Sequence, residues 1–88
     1  MKIKSGFILR DVAGKTFVVA TGELSKKFKG MITLNETGKF IWNLLANDIT
    51  KEEIVNKMLE VYEGVDRAIV EKDVDIFVDK LKGDNILE

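Results

Sequence analysis

The sequence predicts an α+β domain in which a three-stranded antiparallel sheet is followed by three helices. Three observations carry this: glycine-punctuated runs of β-branched and aromatic residues up to residue 34, a change of apolar period to about 3.6 residues after it, and capping residues ahead of each periodic segment.

The first two runs, SGFILRDV over 5–12 and TFVVAT over 16–21, flank Ala13-Gly14-Lys15, where glycine can take a positive φ. They read as a hairpin, antiparallel because no helix intervenes. A third run, KFKGMITL over 27–34, alternates: Phe28, Gly30, Ile32 and Leu34 share one face, and Lys27, Lys29, Met31 and Thr33 the other. That is the pattern of a half-buried strand.

Asn35 suits the N-cap of a helix over about 36–46, with the stripe Phe40, Ile41, Leu44 and Leu45 and with Trp42 about 60° beyond its edge. Thr50 and Glu53 form a capping-box pattern that opens a second helix over about 51–62, with Ile54, Val55, Met58, Leu59, Val61 and Tyr62 on one face. Asp66 can cap a third helix running to about 82, where Lys80 and Lys82 suit the C-terminal dipole and Gly83 can supply a left-handed cap. Its core stripe is Val70, Val74, Phe77 and Leu81. Ile69 and Ile76 lie about 110° from the centre of that stripe, with Asp73 and Lys80 between. They form a second apolar ridge, which either packs under the sheet or walls a binding groove. Helices joined by short turns against a small sheet make the arrangement winged-helix-like, an architecture that does not name a function.

Composition narrows the chemistry. The 88 residues, 9.9 kDa, are expected to form one domain over 1–88, with 45% apolar and 33% charged residues as in soluble globular chains. With neither Cys nor His there is no thiolate or imidazole to hold a metal or cluster, no disulfide, and neither a Cys nucleophile nor a His base. Only Ser5 and Ser25 could offer a serine nucleophile, and so small a chain hardly builds the cleft that would activate one. No enzymatic turnover, no metal and no cofactor are expected. The start MKIKSGFILR is basic, but its apolar run, Phe7, Ile8 and Leu9, is too short for a signal peptide, and no stretch could span a bilayer, so the expected location is cytoplasmic, away from membranes. Net charge is −1 but segregated: residues 1–34 carry +5 and residues 35–88 carry −6.

Residues 34–45, LNETGKFIWNLL, resemble the signature of the PqqD-like family, named for pyrroloquinoline quinone synthesis protein D. The resemblance continues through Thr50 opening T-x-x-E-I, Tyr62, Asp73-Val74, Phe77 and Leu81 to NILE at 85–88, and covers roughly residues 5–88. It implies a RiPP recognition element, a module that binds the leader of a ribosomally made precursor peptide and presents it to a modifying enzyme such as a radical SAM maturase. Such modules do no chemistry themselves. In the family the leader adds as a strand beside the third strand, in the groove between it and the third helix. On this chain the resemblance places the site at Lys27, Phe28, Lys29, Gly30, Met31, Ile32 and Thr33 of the strand and at Ile69, Asp73, Ile76, Phe77 and Lys80 of the helix.

Strand addition needs an unpaired edge, and Lys27 and Lys29 would keep such an edge soluble yet approachable. By themselves these lysines read as a solvated edge; Gly30 reads as a bulge or a close backbone approach, and Trp42 as a helix-helix contact or an exposed anchor for the enzyme. The +5 of the first 34 residues leads to the expectation of an amphipathic, net acidic leader. Two other functions compete. A winged-helix DNA-binding regulator would use the third helix, but there Arg67, Lys72, Lys80 and Lys82 meet Glu71, Asp73, Asp75 and Asp79, so no nucleic-acid partner is expected. A structural subunit could use the same edge to form a homodimer.

Overall fold

The computed structural model describes residues 1–22, 26 and 32–88. Strands β1 (Phe7–Val12), β2 (Lys15–Ala20) and β3 (Ile32–Leu34) form one antiparallel sheet in the order β1-β2-β3. Helices α1 (Glu36–Leu44), α2 (Lys51–Val61) and α3 (Arg67–Gly83) follow. The α+β, winged-helix-like arrangement is therefore the one the sequence predicts.

The hairpin is tighter than expected. Only Ala13 and Gly14, both at positive φ (52° and 80°), lie between the strands, and Lys15 already pairs with Val12. Two consecutive left-handed residues are what a type I′ turn demands, and its twist matches that of the flanking strands. Pairing of Phe17 with Arg10 and Thr33, and of Val18 with Leu9 and Ile32, fixes the faces. Val18, Ile32 and Leu34 are buried against the helices, with Phe7 and Leu9 half-buried beside them. Thr33 is exposed on the other face. Thr16, the one buried polar residue of the described core, donates its hydroxyl to Asp11 Oδ1, so burial leaves no lone polar group. Of the expected third strand, residues 27–31 lie outside the described residues; the described part, 32–34, has the predicted alternation.

All three N-caps are where the sequence places them. Asn35 Oδ1 accepts from Gly38 N–H at 2.8 Å, Asp66 Oδ1 from Ala68 N–H at 2.9 Å, and Thr50 with Glu53 completes the reciprocal capping box. The C-terminal cap of α3 differs from expectation. Gly83 stays in the helix, and the left-handed residue is Asn85, φ 61°. An asparagine side chain tolerates that region.

Where the stripes meet, the core consists of Ile41, Trp42, Leu45, Ile54, Val55, Met58, Val70, Val74, Val78 and Leu81 together with the sheet residues. Trp42 is buried, a packed contact and not an exposed anchor. Three expectations are corrected. Phe77 is only half-buried, and Val78, fully buried, takes its place in the α3 stripe. Phe40, Leu44 and Leu59 are likewise half-buried at the core margin, Phe40 meeting Tyr62 edge to face with ring centroids 5.5 Å apart. Val61 is 57% exposed, because α2 ends there and turns away. Of the two readings left open for Ile69 and Ile76, packing under the sheet is ruled out, since they are 60% and 59% exposed.

Both chain ends contribute to this core. Ile86 and Leu87 are buried, and Leu87 bridges Ile3. Backbone hydrogen bonds from Lys4 N–H to Ile86 C=O (2.8 Å) and Glu88 N–H to Lys2 C=O (2.8 Å) hold the two ends side by side, and Ile3 N–H to Leu45 C=O (3.0 Å) ties the first of them to the end of α1. The amino group of Met1 donates to Asp48 Oδ1 at 2.7 Å and to Ile49 C=O at 2.8 Å, and its positive charge holds the exposed Asp48 carboxyl below its ordinary pKa.

Candidate functional site

β3 is paired on one side only, to β2, so its outer backbone groups have no strand partner among the described residues. Beyond that edge stands α3, and the first turn of α1 closes the space between them. Two adjoining cavities fill it. One, about 340 Å3, is lined by Ile32, Thr33, Leu34, Asn35, Gly38, Phe77 and Lys80. The other, about 320 Å3, is lined by Asn35, Thr37, Gly38, Ile41, Asp73, Ile76, Phe77 and Lys80. Asn35, Gly38, Phe77 and Lys80 line both, so the two form one trough from β3 along α3 to the start of α1.

Local sequence explains the trough's shape. Asn35 ends β3 and caps α1, so the chain turns from strand to helix beside α3. Gly38, in the first turn of α1, is buried, and a Cβ there would lie 3.3 Å from the Phe77 ring and from Asn35 Oδ1. Glycine is thus what lets the Phe77 ring settle onto the helix backbone, at a helix-propensity cost of roughly 0.5–1 kcal/mol relative to alanine. Phe77, displaced from the core stripe, forms the apolar floor together with Ile41, and Ile76 forms the rim.

Of the residues expected at the site, Ile32, Thr33, Asp73, Ile76, Phe77 and Lys80 come together around this trough. Ile69 is not in its lining, since it lies on α3 about 10 Å before Ile76. Lys27, Phe28, Lys29, Gly30 and Met31 lie outside the described residues. Thr37, Gly38 and Ile41 were not foreseen. A glycine in the first turn of a helix was the legible sign of a close approach, while Thr37 and Ile41 join only because of how α1 crosses α3.

Electrostatically the trough is sparse. Asp73 and Lys80 are its two charged lining residues, and Lys80 Nζ lies 3.3 Å from Asp84 Oδ2. Elsewhere on α3, Arg67 contacts Glu71 at 2.9 Å, and Asp75 receives Lys51 of α2 at 3.1 Å beside a cavity between the two helices. That α2–α3 cavity, about 410 Å3, is lined by these paired charges and offers a phosphate no net positive field. Among the described residues no cluster of acidic side chains could hold a metal ion, and no helix is long and apolar enough to cross a membrane.

No curated protein matches the sequence. Among solved structures, the chain resembles "TbiB1 in Complex with the TbiA(beta) Leader Peptide", with a TM-score of 0.77 and 27% identity over 100% of this chain and 95% of that one. The family model described as coenzyme PQQ synthesis protein D matches residues 17–87, which take in most of β2, all of β3 and every helix but not β1. That match takes in well over half of the sequence, and the chain belongs to the PqqD family.

Proposed function

We propose that residues 1–88 form a non-catalytic peptide chaperone that binds the leader of a ribosomally made precursor peptide by strand addition and presents it to a separate modifying enzyme, such as a radical SAM maturase. The observation that carries this reading is the trough beside the edge of β3 that has no strand partner among the described residues, in a PqqD-family chain with a structural neighbour solved with a leader peptide. The β3 edge offers backbone hydrogen bonds, which supply affinity, and the apolar trough selects side chains. The leader would pair along residues 28–33 and set an apolar side chain against Ile76 and Phe77. The charges of Lys26, Lys27 and Lys29 would tune binding without creating it, since exposed rim pairs contribute only about 0.2–1 kcal/mol each.

The experiment starts by sequencing the reading frames around the gene for one that encodes a short precursor peptide. Its labelled leader is titrated against the native protein and against Ile76→Asp and Lys29→Ala, each shown folded by circular dichroism. Ile76→Asp, which puts a carboxylate on the trough rim, should weaken binding more than Lys29→Ala. If Lys29→Ala abolishes binding while Ile76→Asp binds normally, the site is elsewhere. Tight, salt-sensitive binding to duplex DNA in a gel shift would instead favour a DNA-binding regulator.

A further inference from the structure

We propose that the trough selects the charge order of its peptide: a base, an apolar side chain and an acid at alternate positions, read from the N- to the C-terminus. The inference rests on the trough being the peptide site, and concerns which peptides it takes. It comes from the juxtaposition of Asp73, Ile76, Phe77 and Lys80 on one side of α3 with Gly38 and the β3 edge opposite.

The two ends of the trough differ in charge. The cavity beside β3 meets α3 at Phe77 and Lys80, whereas the cavity beside α1 shares those two residues and extends on to Ile76 and Asp73. Lys80 is thus the one charged side chain at the β3 end, the acid Asp73 is confined to the α1 end about two helical turns earlier on α3, and Ile76 and Phe77 lie between the two along the helix. Asp73 makes no ion pair or side-chain hydrogen bond among the described residues. Lys80 has an exposed i,i+4 partner in Asp84, which a second carboxylate can share.

Distances along the two partners agree. Asp73 and Lys80 are separated by about 10 Å of helix rise. An extended peptide sets every second side chain on the same side, about 7 Å apart, so three such side chains span about 13 Å, within reach of both charges. The middle one falls over Phe77 and Gly38. Direction follows from β3, which runs from Ile32 toward Asn35 and the acidic end. An antiparallel fourth strand continues the pairing of the described sheet and is the more stable geometry per residue. Such a strand starts at Asp73, where it places its base, and ends at Lys80, where it places its acid.

Two short acetylated peptides of identical composition test this, Ser-Lys-Ser-Leu-Ser-Glu-Ser and the same peptide with Lys and Glu exchanged. They are titrated into the isotope-labelled full chain and followed by the NMR shifts of Gly38, Ile76 and Phe77. The base-first peptide should bind the native protein about threefold more tightly, as two exposed charge pairs permit. Asp73→Lys/Lys80→Asp keeps the net charge and should invert the preference, and Asp73→Asn/Lys80→Gln should erase it. Equal affinities for the native protein, the opposite preference, or a preference that persists in both variants would overturn the proposed charge order while leaving the trough as the peptide site. If neither peptide moves these resonances at millimolar concentration, the peptide site is misplaced and the charge order falls with it.

Discussion

Replacing Ile86 by alanine should destabilise this domain more than its place near the chain end suggests. Ile86 is fully buried, and its backbone is clasped on both sides: its N–H donates to Leu81 C=O at 2.9 Å and its C=O accepts from Lys4 at 2.8 Å. Removing three buried carbons forfeits about 2.4 kcal/mol of transfer free energy at about 0.8 kcal/mol each. The clasp hinders collapse into the space left behind, so a cavity contribution brings the expected loss to about 3 kcal/mol, inside the usual range for Ile→Ala in a core. A chain of 88 residues has roughly 4–13 kcal/mol in total, so this is a large share of its stability. At about 4–8 °C per kcal/mol for a domain of this size, Tm should fall by about 12–24 °C. Thermal and urea unfolding followed by circular dichroism read this directly, with the urea midpoint lowered and the slope unchanged. Ile76→Ala is the internal control: at 59% exposure it should stay within about 0.5 kcal/mol of the native protein. A Tm drop for Ile86→Ala no larger than that of Ile76→Ala would refute the account of the terminal clasp.

Three further outcomes follow from the structure. Gly38→Ala gains backbone entropy but pushes on the Phe77 ring and on the Asn35 cap, so its Tm should move by less than about 8 °C while the ring is driven into the trough and leader affinity falls; unchanged affinity would mean that the floor is not used. Thr50→Ala removes the acceptor of the capping box and should cost about 1 kcal/mol, readable as a Tm loss of about 4–8 °C, whereas no loss would show the box to be idle. The Asp48 carboxyl is lowered below 3.8 by its contact with the Met1 amino group, so it stabilises the fold above that pH and loses this contribution as pH falls through the folded value. The Tm difference between native protein and Asp48→Asn should therefore hold steady from about pH 7 to about pH 5 and shrink below 3.8; a difference that grows on acidification would contradict the assignment.

The sequence by itself determined the element order, the fold class and the helix starts, because each is a local matter. Asn35, Thr50 and Asp66 cap through hydrogen bonds to residues two or three positions away, and the change from strand alternation to helical periodicity marks where the sheet ends. The alternation of Ile32, Thr33 and Leu34 likewise fixed which side chains enter the core. Tertiary structure alone decided which flank of α3 meets the sheet. Phe77 and Val78 are adjacent on a helix with apolar residues on two sides, and the position of α1 gave the buried place to Val78 and left Phe77 as the trough floor. Ile86 and Leu87 show no periodicity in so short a tail, and only their pairing with Ile3 and Lys4, more than eighty positions away, buries them. The candidate site is legible in part: helical geometry sets Asp73, Ile76 and Lys80 on one flank of α3 and the family resemblance pointed to that flank, but the trough exists only where α1 crosses α3 closely enough to need a glycine.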